Sequence, residues 1–282
     1  MIRPGRHFVQ SLARGLSVLQ VFSAQRTRLT LKEISQLTGF NMTTTQRMTD
    51  TLQTLGFLGR DEHLRFHLEP KVLALGYAYL RGSELRQLGE TRIKEFAISI
   101  DHTVNLAVLD DLEIVFIYRH EIKRFLQFKL YEGSRLPSYC TSTGKVLLAS
   151  LDDDDLMARV KRMKLEPYTS HTITNRRNLL EEIARTRSRG YGVSDRELSL
   201  ALISVAVPLM DHDGQTSAAL NVSLMTEEAG GKSFKGYVER LRAEGEKLSR
   251  LLGYQGPYPV WPAAKKLKDF KKPAGPPAAG RI

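Results

Sequence analysis

Residues 30–58 read "TLKEISQLTGFNMTTTQRMTDTLQTLGFL", and two helices follow from the punctuation of this stretch alone. Thr30 stands where an N-cap belongs, with Glu33 three residues later as in a capping box, and Leu31, Ile34 and Leu37 recur at helical spacing. Gly39 ends that short helix, and a second helix begins after a turn of about three or four residues, with Met48, Leu52 and Leu55 as its apolar stripe. Two short helices joined so tightly form a helix-turn-helix, whose second helix enters the major groove of DNA.

The flanks extend this reading. Upstream, Leu12, Leu16, Leu19 and Phe22 share one face of a helix that ends near Ser23. Downstream, Phe57–Arg60 and Leu64–Leu68 are short extended runs around a polar turn at residues 61–63, as in the wing of a winged helix-turn-helix. Opposite the apolar stripe stand Thr43, Thr44, Gln46 and Arg47. Glutamine and arginine present bidentate groups to adenine and guanine edges, and threonine serves phosphates and thymine methyls. On an isolated helix the same four residues would read as a solvated face; the preceding helix, tight turn and hairpin turn the reading to DNA. Arg60 and Arg65 flank the wing turn, where they serve equally well as minor-groove or phosphate contacts and as solvated hairpin charges.

The charge distribution agrees. Of the formal +11, residues 1–69 carry nine basic and five acidic side chains, and residues 254–282 carry six and one, around a nearly balanced middle of 27 and 25. Excess positive charge at the ends suits a polyanion such as double-stranded DNA, though charge alone also serves solubility. No run approaches the roughly 18 apolar residues of a membrane span, and no cleavage site follows the N-terminal helix, so a cytoplasmic protein without membrane contact is expected. The single cysteine, Cys140, excludes an internal disulfide and leaves too few thiolates for a structural zinc site, so neither metal nor cofactor is expected.

After residue 69 the organisation changes. Residues 70–88 read as a linker helix interrupted around Gly82 and Ser83, leading into residues 89–253, an α+β region. Its strand-like runs are residues 103–109, 113–118, 124–131, 191–198, 203–210 and 216–225, with helices near residues 155–164, 178–189 and 233–252. A mostly antiparallel sheet flanked by helices is expected. Residues 254–282, rich in Pro, Gly and Lys, lack any sustained period and read as a flexible basic tail.

Residues 136–149, "LPSYCTSTGKVLLA", hold the chain's most chemically suggestive cluster. A phosphate loop would need glycine where Tyr139 stands and Ser or Thr where Val146 stands. Cys140 has no histidine within a few residues, but a distant partner such as His171 stays open, so a small-molecule enzyme with an appended DNA-binding domain using Cys140 is the alternative. Thr141, Ser142 and Thr143 precede an apolar-periodic run, so one of them caps a helix whose free amides accept a small carboxylate or another polar ligand. A second polar cluster comprises Ser194, Asp195, Glu197, Ser204, Asn221 and Ser223, and alternation puts Asn221 and Ser223 on the face opposite Leu220 and Val222. That face is either solvated or the wall of a ligand pocket.

On "SLARGLSVLQVF", the winged helix-turn-helix, "LPSYCTSTGKVLLA" and "SDRELSLALISVAVPLMDHDGQTSAALNVS", the chain resembles the IclR family of bacterial transcriptional regulators over roughly residues 10–252. The third of these is most similar to the branch that senses aromatic acids such as protocatechuate and 4-hydroxybenzoate. The resemblance implies a winged helix-turn-helix domain, a linker helix and a GAF-like effector-binding domain, working without catalysis as a dimer or dimer of dimers on a palindromic operator of a catabolic operon. By matched position it implicates Ser142, Thr143, Ser194, Asp195, Leu202, Ser204, Asn221 and Ser223 in effector binding, with Asn105 and Tyr118 added from strand geometry. Three positions depart from the pattern: Thr45 replaces an apolar residue, Ala201 a common glycine, and Ile203 an arginine that would be a natural carboxylate partner. Loss of that arginine points to a less charged, more apolar effector.

Overall fold

The computed structural model describes residues 7–23, 25–122, 130–229, 232–259 and 261, and the chain divides into two compact units, Met1–Gly82 and Ser83–Ile282. The first unit contains helices α1 (Gln10–Gln20), α2 (Leu31–Thr38) and α3 (Met42–Thr54), an antiparallel hairpin of β1 (Leu58–Arg60) and β2 (Phe66–Leu68), and helix α4 (Lys71–Gly82). The capping box forms as the spacing predicts: the Glu33 amide donates to Thr30 Oγ1 at 3.3 Å, and the Thr30 amide donates to Glu33 Oε2 at 2.7 Å. Gly39 ends α2 in the left-handed region, at φ +73, a conformation that costs any residue with a Cβ. Asn41 caps α3 by accepting from the Thr44 amide at 2.8 Å, so the helix-turn-helix turn is three residues long.

Val18, Phe22, Leu29, Ile34, Leu52, Leu58 and Phe66 form the core of this unit. Two expectations are corrected here. The buried stripe of α3 runs through Thr45, Thr49 and Leu52, while Leu55 stands half exposed. The threonines tolerate burial because each hydroxyl donates to a carbonyl one turn back, Thr45 to Asn41 at 3.0 Å and Thr49 to Thr45 at 3.1 Å. On α1 the buried residue is Val18, and Leu12 and Leu16 are exposed.

The interruption expected around Gly82 and Ser83 is a break between two helices, α4 and a longer one that follows it. Following α4, Ser83 caps α5 (Glu84–Ile100) by accepting from the Arg86 amide. The second unit is built on a six-stranded, wholly antiparallel sheet of β3 (Val104–Asp110), β4 (Glu113–His120), β5 (Arg135–Pro137), β6 (Gly192–Asp195), β7 (Leu202–Met210) and β8 (Thr216–Met225), in the order β5-β4-β3-β8-β7-β6. The run 124–131 falls largely outside the described residues, and β5 was not anticipated. Helices α5 and α9 (Lys232–Leu251) cover one face, where Val104, Leu106, Val205, Val207, Leu220 and Val222 are buried. Helix α6 (Ser142–Ala149) packs on the other face, and α7 (Asp153–Arg162) and α8 (Arg176–Arg189) complete the unit. The unit also continues past residue 253: Tyr258 donates to the Pro208 carbonyl at 2.6 Å, and Trp261 packs against the core. The remainder of the tail lies outside the described residues.

Candidate functional site

The sheet face beneath α6 explains the position of the "TSTGK" helix. Across β6, β7, β8 and β3, Gly192 pairs with Ala206, Ala206 with Asn221, and Ala219 with Ala107. These small residues form a shallow floor on which Val146 and Leu147 of α6 pack. The approach is close: a Cβ at Gly192 would collide with the Ser142 carbonyl, and one at Gly144 with the Ser138 carbonyl. Thr141 caps α6, accepting from the Gly144 amide at 3.2 Å, which leaves the amides of Ser142 and Thr143 as the first N–H groups of the helix.

Beside that floor the same face turns polar and lines a small cavity that opens to solvent. Ser142, Thr143, Ser194, Leu202, Ser204, Asn221 and Ser223 all line it, as does Asn105. The hydroxyls of Ser142 and Ser204 bond each other at 2.8 Å, and Ser194 donates to the Cys140 carbonyl at 2.8 Å, tying β6 and β7 to the start of α6. Ile114, Phe116, Leu130, Leu136 and Leu198 supply an apolar wall.

Asp195 does not join them. Alternation along β6 turns it away from Ser194, and it pairs instead with Arg196 at 2.8 Å on the surface. Ile203 likewise alternates with Ser204 and is absent from the lining, so its identity carries no information about effector charge. Tyr118 is also displaced, by a β-bulge. Ala107 pairs with Phe116 but Leu106 with Tyr118, so one residue of β4 is skipped and the parity of the strand reverses. Phe116 and Arg119, three apart, therefore both line the cavity, and Tyr118 is buried elsewhere. Arg119 is the charged lining residue that the sequence pattern did not point to, and the apolar wall was not expected either.

Cys140 also lines the cavity, but burial pushes its thiol up to about 12, with Glu197 adding to the shift. It stays protonated at neutral pH, the opposite of what a nucleophile needs. Behind it lies a second unanticipated feature, the fully buried Lys145 paired with Glu197, with the ammonium also donating to the Val193 carbonyl at 2.8 Å. Among the described residues, no three His, Cys, Asp or Glu side chains form a metal-binding group, and no helix is long and apolar enough to cross a membrane.

In the first unit, Thr43 and Arg47 stand exposed on α3, while Thr44 and Gln46 are half-buried, Gln46 donating to Asp50 one turn on. On the wing, Arg60 lies over the Phe66 ring at 5.2 Å. Arg65 is committed to the turn: its amide and its Nε donate to Asp61, which also accepts from Arg28 at 2.9 Å. These bonds, the Arg65 amide first, hold the Asp61 carboxyl down at about 2. Their contribution to the wing is therefore complete above about pH 4 and lost as the pH falls through about 2.

Both units match models of known families. Residues 11–62 match the IclR helix-turn-helix domain, and residues 77–250 match the bacterial transcriptional regulator IclR C-terminal domain. The Pca regulon regulatory protein of Pseudomonas putida is 38% identical over 217 residues, spanning 77% of this chain and 74% of that one. The p-hydroxybenzoate hydroxylase transcriptional activator of Acinetobacter baylyi is 33% identical over 224 residues, spanning 78% and 82%. A crystal structure of a transcriptional regulator from Rhodococcus sp. RHA1 superposes with a TM-score of 0.72 at 32% identity, covering 87% of this chain and 98% of its own. With a helix-turn-helix unit and a cavity-bearing unit each matched to its counterpart in the same order, the chain belongs to the IclR family of bacterial transcriptional regulators.

Proposed function

We propose that this regulator binds operator DNA in the cytoplasm as a homo-oligomer and responds to an aromatic acid or related metabolite held in the cavity of its second unit, so controlling an operon for the breakdown of such compounds. The observation that carries the proposal is the pairing of a winged helix-turn-helix with a cavity whose polar wall comes from the start of α6 and from β6, β7 and β8. Relatives named for the Pca regulon and for p-hydroxybenzoate hydroxylase support the effector class. Ligand acts by its differential affinity for two arrangements of the assembly, one of which fits the operator. A second copy of the chain accounts for the apolar side chains left exposed on the first unit, Leu12 and Leu16 of α1 and Leu73, Leu75, Tyr77 and Tyr79 of α4. Sedimentation of the free protein as a monomer at micromolar concentration would count against that part of the reading.

The DNA-reading residues are Thr43, Thr44, Gln46 and Arg47, with Arg60 on the wing and Arg65 holding the wing turn. Operator affinity should fall steeply with salt, because each neutralised phosphate releases condensed counterions; a flat slope of log affinity against log salt would exclude the interface. Arg47→Ala should lose about 1–3 kcal/mol of discrimination at the base pair it reads. Gel-shift titrations on operator and scrambled duplexes check this: an equal loss on both would make Arg47 a phosphate contact only.

For the effector, Ser142 and Ser204 give the cleanest test, since replacing both removes a hydroxyl pair without orphaning either partner. Ser142→Ala with Ser204→Ala should raise the concentration of 4-hydroxybenzoate needed for half-maximal operator response by about tenfold, the equivalent of one or two net hydrogen bonds. Loss of ligand-free operator affinity as well would make the pair a structural link between α6 and β7.

A further inference from the structure

We infer that Arg119 is the anchor for the effector's anionic group, and that the cavity selects a small arylcarboxylate over its neutral analogues. This rests on the effector-site reading above and deepens it. The β4 bulge brings Arg119 to the cavity wall, with its side chain only 8% exposed. Two of its nitrogens are committed: Nη1 donates to Asn105 Oδ1 at 2.6 Å and Nη2 to Glu121 Oε1 at 3.0 Å. The third, Nε, is buried without an acceptor. A buried donor of a charged group is costly to leave unpaired, and the acceptor it lacks is the one a bound carboxylate supplies.

The neighbours reinforce the assignment. Asn105 accepts from Arg119 and donates through Nδ2 to Asn221 Oδ1 at 2.9 Å, and Asn221 donates in turn toward Ser223 Oγ at 3.4 Å. Asn105 thus turns its oxygen toward the guanidinium, and Asn221, accepting from the Asn105 amide, holds it in that orientation. Glu121 balances one charge, but its side chain is 38% exposed, and a pair shared with solvent is weakened by screening. The apolar wall of Ile114, Phe116, Leu130 and Leu136 suits an aromatic body. Ser142 and Ser204 on α6 and β7 supply hydroxyls suited to a ring substituent. Ile203, which sits off the lining, leaves this assignment untouched.

Isothermal titration of the full chain with 4-hydroxybenzoate and with its neutral analogue 4-hydroxybenzamide tests the inference without any substitution. The acid should bind at least tenfold more tightly, and an amide that binds as well overturns the proposal. Arg119→Gln should weaken the acid by about 10- to 150-fold, the range of one lost charge-assisted bond, and the amide by less than threefold; Arg119→Lys should recover part of the loss, with circular dichroism confirming that each variant folds. Unchanged acid binding in Arg119→Gln, combined with loss in Ser142→Ala/Ser204→Ala, would remove Arg119 from the site and leave the effector cavity standing. If neither compound binds the unmodified chain, the arylcarboxylate assignment fails together with the effector class.

Discussion

Lys145→Met is expected to lower the stability of the second unit by about 3–5 kcal/mol, the range for removing one member of a buried ion pair. Lys145 is 1% exposed and sits on α6 with its ammonium against Glu197, whose second carboxylate oxygen is already buried without a partner. Burial pushes the Glu197 carboxyl upward, and the facing ammonium is what opposes that shift. Without the lysine, the site must either hold an uncompensated charge or take up a proton. Exchanging both members tells the pair's net worth from the penalty of breaking it: Lys145→Met with Glu197→Leu should recover most of the loss, because two apolar side chains need no counter-charge. Urea unfolding followed by Trp261, the only tryptophan in the chain and packed on the core of this unit, reads the result directly. A shift below about 1 kcal/mol for the single variant would mean that water reaches the pair.

The placement of this pair shows where the sequence could and could not be read. Thr30, Glu33, Gly39 and Asn41 announce themselves because capping and left-handed termination are local: the residues that interact are three or four apart. The polar parity of Asn221 and Ser223 was legible for the same reason, since alternation within one strand needs no knowledge of its neighbours. Lys145 was not, because "TSTGK" presents a lysine near a helix start, and only the docking of α6 onto Gly192, Ala206 and Ala219 converts an ordinary surface residue into a buried one. Arg119 was hidden by a single skipped residue. Strict alternation from Phe116 selects Tyr118, and the bulge that overrides it lies in the pairing between two strands, where neither strand's own pattern records it. Asp195 failed in the opposite direction: matched position suggested it, and simple alternation from Ser194 would have removed it.

Phe66→Ala is the second large effect, and it separates the two units. Phe66 is fully buried in the core of the first unit, and its backbone is clamped to Leu29 in both directions, at 3.0 and 2.7 Å. Truncating a buried phenylalanine costs about 3–5 kcal/mol, the lost transfer energy plus the cavity left among Val18, Ile34 and Leu58. A unit of some 80 residues buries proportionally less surface than a larger one and holds a stability near the low end of about 5–15 kcal/mol, so a loss of that size leaves little margin. At 37 °C the first unit of this variant should therefore be partly unfolded, and operator affinity should fall in proportion to the fraction that remains folded, by about twofold where the margin is just exhausted. The Trp261 transition, which reports the other unit, should move by less than about 0.5 kcal/mol, the additivity expected of sites without shared partners. Coincident loss of both signals would show that the units fold as one cooperative block, with effector and operator coupled through stability itself. Retention of operator binding by a chain whose first unit has melted would show that DNA is read elsewhere, and the basic stretch beyond residue 261 would then be the part of the chain to truncate first.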